Sequence, residues 1–209
     1  TIRNLSVLYD ISRASGQIDN MKQLLVEILD KAIERVGAQK GSIMLYVPEF
    51  DHLELRVVRG LPDKLVEERI NAGEQKCKTF RPGEGIAGTV YQTREPYLSH
   101  DAARDDRYAR ADSSHIDSIV CLPLLSNDEA IGVLNITNKI ENTFGPADIE
   151  ILTAIATQAA MTIAKADLYQ LAISDELTGL YVRRYFYRRL DEELRRTRRY
   201  KNPLSVTMV

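Results

Sequence analysis

Cysteine is scarce in this 209-residue chain, and the two that occur, Cys77 and Cys121, form no CxxC pair. Neither a disulfide framework nor a zinc site is consistent with that spacing, which points to two reduced thiols. Histidine is nearly as rare: His52, His100 and His115 are scattered without metal-ligand spacing. No metal is therefore expected. No uninterrupted apolar run approaches the roughly 20 residues that span a bilayer, and no basic, apolar signal peptide opens the chain. The expected location is cytoplasmic, with no membrane segment here. The chain begins at Thr1 rather than Met, which suggests a piece of something longer and leaves an upstream anchor open.

An apolar fraction of 44% beside 28% charged residues belongs to a soluble, folded protein and excludes a disordered one. The net charge of −2 conceals an uneven distribution. Residues 183–201 hold nine of the 28 basic residues and three of the 30 acidic ones, leaving 19 basic against 27 acidic elsewhere. Such a basic stretch can be a nucleic-acid footprint. Here Arg188/Glu192, Arg189/Glu193, Asp191/Arg195 and Glu192/Arg196 are each four apart, the spacing of ion pairs along a helix surface. Phe186, Leu190, Leu194 and Thr197 supply a stripe for burial. An amphipathic helix is the favoured reading, with no nucleic-acid partner.

Helical periodicity is expected over residues 2–13. A second helix, roughly 20–36, would be capped by Asp19 and bury Leu24, Leu25, Ile28, Leu29, Ala32 and Ile33. Residues 41–47 and 53–58 read as a hairpin turned by Pro48 to Asp51, and 118–125 and 130–138 as a second one turned at Ser126 to Glu129. Between them, residues 60–117 read as irregular and polar, the kind of segment that builds a small-molecule site over a sheet. Gly145-Pro146 then opens a long helix without a breaker before about Ser174, with Asp148 and Glu150 at its positive end. This order gives an α+β domain, an antiparallel sheet backed by terminal helices.

Two motifs carry family resemblances. "GEGIAGTVYQTREP", with Gly83, Gly85, Ile86, Gly88, Val90 and Pro96, and "SIVCLPLLSNDEAIGVLNITNK", with Pro123 and Gly132, resemble the glycine segment and central strands of GAF domains. These are PAS-like sensors of small molecules, and the resemblance covers residues 1–170. Gly85 and Gly88 are expected to bring a helix start close to the sheet, its amides toward a ligand. "DELTGLYVRRYF" resembles the start of a GGDEF domain at Asp175, Leu177, Thr178, Gly179, Leu180, Arg183, Arg184 and Phe186, and "PLSVTMV" resembles its first strand. That family condenses GTP to cyclic di-GMP. The resemblance implies a linker or turn at 171–176 and the first part of an output domain at 177–209. Its metal and guanine residues would lie past Val209. The chain itself is thus expected to have no catalytic residues and no enzyme activity, while its parent would be a diguanylate cyclase. Val182 stands where that family usually has Asn, so the arginine-rich helix lacks a capping side chain.

The GAF resemblance places the ligand pocket at Ser42, Arg59, Ile86, Ala87, Asp112, Ile116 and Asn135. The ligand, and so any cofactor, is unknown. Asn138, Lys139, Phe144 and Asp148 fit four of five positions of the cyclic-nucleotide GAF motif, with Ile149 at the fifth. Val58-Arg59 stands where nucleotide binders have an aromatic-acidic pair. The alternative for Lys139 and Asp148 is a pin between strand end and helix start. Arg59 would favour an anion unless it is salt-bridged. Cys121, in an apolar run, reads as buried and inert, and Cys77, between Lys76 and Lys78, as mildly activated if exposed. Methionine sulfoxide-reducing GAF proteins carry a cysteine where Ala87 stands, and bilin-binding members need a Cys-His pair that is missing. Ile149, Leu152, Ala156, Ala159, Ile163, Ala166, Gln170 and Ile173 recur at heptad spacing, predicting a parallel homodimer through residues 145–173 and the N-terminal helix. Ile151, Ile155 and Leu168 are left for the domain's own packing. The alternatives are a ligandless dimerisation spacer, or a cysteine- or metal-based redox enzyme on this scaffold.

Overall fold

The computed structural model describes residues 17–102, 116–173, 178 and 180–207. The expected helix at 2–13 lies outside them. The chain divides into two compact units, residues 1–163 and 164–209.

The first unit opens with α1 (Gln17–Val36), three residues longer at its start than expected, so Asp19 lies inside the helix. Strands β1 (Ala38–Val47) and β2 (His52–Arg59) form the anticipated hairpin around a short 3₁₀ turn, Pro48–Phe50. The middle of the chain is more regular than its composition implied. Helices α2 (Lys64–Ala72) and α3 (Gly85–Thr93) and strand β3 (Tyr97–Ser99) form there. Asp63 caps α2 through the Leu65 and Val66 amides, a local signal hidden among polar neighbours. Strands β4 (Ile119–Ser126) and β5 (Glu129–Lys139) make the second hairpin. Asn127 and Asp128 both adopt positive φ at its tip, the backbone that a tight two-residue turn requires. Helix α4 (Pro146–Ile173) follows and runs through the boundary between the units.

The five strands order as β2-β1-β5-β4-β3, all antiparallel, which is the expected α+β architecture. On one face Ile43, Val57, Val120, Leu122, Leu124, Leu134 and Ile136 meet the apolar sides of α1 and α4. Leu152, Ala156, Ala159, Ala160 and Ile163 of α4 are sealed in this core. Burying a leucine there contributes about 1.5–3 kcal/mol over leaving it in water. This corrects the expected division of α4. Leu152, Ala156, Ala159 and Ile163 of the stripe assigned to a dimer seam are occupied within the domain, and Ile155 packs inward as expected, whereas Ile151, also assigned to internal packing, is 42% exposed and Leu168 is 68% exposed. Heptad spacing shows that one stripe is apolar but not what covers it. Among the described residues, one segment, Pro146–Ala166, is long and apolar enough to cross a membrane by length and composition. It was not visible as an unbroken apolar run because Asp148, Glu150 and Lys165 interrupt it.

In the second unit, helix α5 (Arg183–Tyr200) starts at Val182, whose side chain provides no cap, as the sequence implied. Arg189–Glu193 at 3.0 Å and Asp191–Arg195 at 2.7 Å are two of the four anticipated pairs. Arg188 instead lies over the Tyr185 ring. The stripe expected to be buried is not: Phe186 and Leu194 are exposed, and no residue of α5 is buried. Residues 201–207 form no strand. A single strand of a larger sheet has no ladder to join here.

Candidate ligand-binding site

The opposite face of the sheet is chemically mixed. Alternation along β5 sends Leu134 and Ile136 to the helix-covered core and Val133, Asn135 and Thr137 to the other side. Met44 of β1 and Ile119 and Cys121 of β4 share that side, where α3 packs through Ile86, Ala87 and Val90. A half-enclosed cavity of about 220 Å³ opens between this face, α2, α3 and the residue 77–80 segment.

Six of the seven residues expected at a ligand site line it: Ser42, Arg59, Ile86, Ala87, Ile116 and Asn135. Asp112 lies outside the described residues. Asn135 faces Ser42 across the β1–β5 register, and its amide donates to the Ser42 hydroxyl at 3.2 Å. Two register positions away, on the same face, Lys40 is opposite Thr137, and both also line the cavity.

Arg59 is at the cavity wall but is engaged elsewhere. Its Nε donates to Asp30 at 2.9 Å and its Nη1 to Glu67 at 3.0 Å. Glu67 is only 2% exposed and also accepts from the Leu61 amide and Lys64. Burial alone would raise its pKa. The Leu61 N–H, then Arg59 and Lys64, outweigh this and hold it below the usual carboxylate range. The salt-bridged reading of Arg59 therefore holds, and this guanidinium is not a spare charge for a ligand.

The first turn of α3 depends on its glycines, though not as expected. Gly85 has φ +65°, a backbone that glycine adopts without the penalty other residues meet. A Cβ on Gly88 would lie 2.1 Å from the Arg81 carbonyl oxygen, so the close approach is to the preceding loop rather than to the sheet. Glu84 precedes the helix without capping it through its side chain. The first-turn amides are thus left without side-chain partners, and Ile86 and Ala87 carry two of them in the cavity wall.

Sequence reasoning missed Lys40, Cys77, Lys78 and Phe80. Phe80 exchanges two backbone hydrogen bonds with Leu53, which draws its segment over the sheet edge. A bridge 27 residues apart in sequence leaves no local pattern. Cys121 is fully buried, and burial pushes its thiol pKa far up, as expected for an inert cysteine.

The cyclic-nucleotide motif resolves into the pin. Lys139 donates to Asp148, which also accepts from the Gly145 amide at 2.8 Å. Phe144 is buried in the helix-covered core. Asn138 has φ +58° and its side-chain oxygen accepts from the Asp117 amide at 2.9 Å. None of the four lines the cavity.

A GAF domain family model matches residues 19–164. Among curated proteins the chain is 26% identical over 167 residues to a probable 3',5'-cyclic phosphodiesterase, pde-5, of Caenorhabditis elegans, covering 78% of this chain and 23% of the relative. It is 24% identical to a Nif-specific regulatory protein of Herbaspirillum seropedicae, covering 76% and 29%. The chain thus spans about a quarter of the length of the curated relatives it matches. The fold is similar to that of the GAF domain of a phosphoenolpyruvate-protein phosphotransferase from Coxiella burnetii. The TM-score is 0.62 at 20% identity, over 80% of this chain and 95% of the other.

Proposed function

The chain belongs to the GAF domain family, and on that footing we propose that its first unit is the small-molecule-sensing module of a larger signalling protein. The observation that supports this is the cavity: a half-enclosed, mostly apolar space that carries Ser42, Asn135 and Thr137 on one face of a sheet whose other face is aliphatic. Side chains such as Asn135 and Thr137 weaken a core unless something contacts them. Helix α4 packs on the far face of that sheet and continues to Ile173, the segment through which a signal would leave. The motif "DELTGLYVRRYF" beyond it, whose last four residues open α5, fits the start of a GGDEF-type diguanylate cyclase as the output. Its substrate would be GTP and its location the cytoplasm.

Pairing of two copies through α4 belongs to the same reading, since two GTP-loaded output domains must meet. With Leu152, Ala156 and Ala159 occupied in the core, the available stripe is Ile151, Ala154, Gln158, Met161, Lys165 and Leu168. All six are exposed and recur at spacings of three and four, as a coiled-coil seam requires. A ligand would act by binding more tightly to one of two helix registers.

Mass spectrometry of protein extracted from its own host, under denaturing conditions, tests the sensor. One small molecule per chain is expected. Recovery of nothing, together with no melting shift across a metabolite panel, would leave a dimerisation spacer without a ligand. Sedimentation tests the pairing: wild type should be a dimer at about 30 µM, a concentration far above a nanomolar dissociation constant. Met161→Glu should be monomeric and folded.

A further inference from the structure

We infer that the cavity is built for a compact organic acid: a carboxylate on an apolar body the size of a single ring. This rests on the sensing reading above and assigns its ligand class. The charged residues that line the cavity are Lys40, Arg59 and Lys78, with no acid among the described lining residues. Outside residues 183–201 the chain has 27 acids against 19 bases, so three cations and no acid in one small space is a local exception. Arg59 is neutralised by Asp30 and Glu67. Lys40 and Lys78 have no such carboxylate among the described residues, and the Lys78 ammonium lies 5.1 Å from the centre of the Phe80 ring.

A second, independent observation comes from the floor. Thr137 is 5% exposed and lines the cavity, yet its hydroxyl has no hydrogen-bond partner among the described residues. No side-chain polar atom there is both sealed from solvent and unpartnered. The Thr137 hydroxyl therefore opens on the cavity. The Asn135 carbonyl oxygen is in the same position, its amide nitrogen being taken by Ser42. The uncapped first turn of α3 adds the positive end of a helix to the wall. Two ammonium groups, the Thr137 hydroxyl and the helix amides outnumber the one open acceptor, the Asn135 oxygen, and a carboxylate satisfies that excess of donors and positive charge.

The apolar remainder sets the size. Leu55, Phe80, Ile86 and Ile119 line the rest of the cavity. A cavity of about 150 Å³ accommodates benzene. About 220 Å³ therefore takes a ring with a short acidic arm, or a chain of similar length. A cyclic nucleotide, with more than twice as many atoms, exceeds that volume.

The test pairs acids with their uncharged amides: benzoate, phenylacetate and hexanoate against benzamide, phenylacetamide and hexanamide, by calorimetry on the whole chain. At least one acid should bind roughly tenfold or more tightly than its amide, as a charge-assisted contact implies. It should also slow alkylation of Cys77, which lines the cavity, by N-ethylmaleimide. Lys40→Met should weaken the acid about tenfold and leave the amide unchanged, with an unaltered melting temperature showing that the variant folds. Amides that bind as well as the acids would overturn the acid assignment and leave the sensing reading standing. Failure of all six probes would also overturn it, and the sensing reading would then be decided by the extraction experiment. Acid binding that does not protect Cys77, or that survives both Lys40→Met and Lys78→Met, would overturn the site.

Discussion

The two faces of the sheet are made by the same strands, one residue out of phase, and they are built to opposite rules. Toward α1 and α4 the strands present Ile43, Val57, Val120, Leu122, Leu124, Leu134 and Ile136, all aliphatic and sealed, and alanines at 156, 159 and 160 let the helix lie close. Toward the cavity the strands present Ser42, Asn135 and Thr137 beside Met44 and Val133, and the helices standing over them are short. Close packing of aliphatic side chains supplies stability. Polar groups face a space on the other side, so the sealed packing and the cavity lie on separate faces.

The strongest way to break this comparison is to charge the sealed face. Ala159→Glu buries a carboxylate with no counter-charge, and loss of cooperative unfolding in urea, at least about 4 kcal/mol, is expected. Met161→Glu, two residues on but 61% exposed, should change monomer stability by about 0.5 kcal/mol or less. Equal effects would mean that α4 is not seated as described. A sharper comparison uses neighbours on β5. Leu134→Ala should cost about 2–5 kcal/mol through transfer and cavity terms. Asn135→Ala, which gives up a single hydrogen bond to Ser42, should cost about 1 kcal/mol. A reversed order in denaturant midpoints would overturn the assignment of the two faces.

A further small effect concerns the pin beside the sealed face, and it depends on pH. Burial tends to raise the Asp148 pKa, but the Lys139 ammonium and the Gly145 amide outweigh it and hold the carboxyl below its usual range. A carboxylate depressed in the folded state stabilises above its unfolded value of about 4 and loses that contribution as pH falls through the folded one. Asp148→Asn should therefore be less stable than wild type near neutral pH, by about 1 kcal/mol. The gap should close on acidification below about pH 4. A gap that stays constant from pH 7 to 3 would show that Asp148 acts through shape rather than charge.

Much of this was legible in advance. The β4–β5 hairpin announced itself through an apolar run, an Asn-Asp turn and a second run, because strand alternation and turn chemistry are local. Ser42, Arg59, Ile86, Ala87, Ile116 and Asn135 were expected around one space from the GAF resemblance, and all six line the cavity. Lys40 and Lys78 were missed because each looks like an ordinary surface lysine in its own neighbourhood. They line the same space as a result of the β1–β5 register and the Leu53–Phe80 bridge, and no spacing along the chain encodes either.

By itself, then, the sequence determined α1, the two hairpins, the long helix α4 and its apolar stripe, since each follows from a period of two or 3.6 residues, but not α2, α3 or β3. It also determined that Val182 would begin α5 without a cap, a property of one side chain. Only the tertiary structure decided what each apolar stripe would meet. Ala156 and Ala159 face the domain's own sheet rather than a second copy, and Phe186 and Leu194 of α5 stay exposed. Periodicity sets which residues share a side of a helix. Which surface covers that side depends on the packing of segments far apart in the chain.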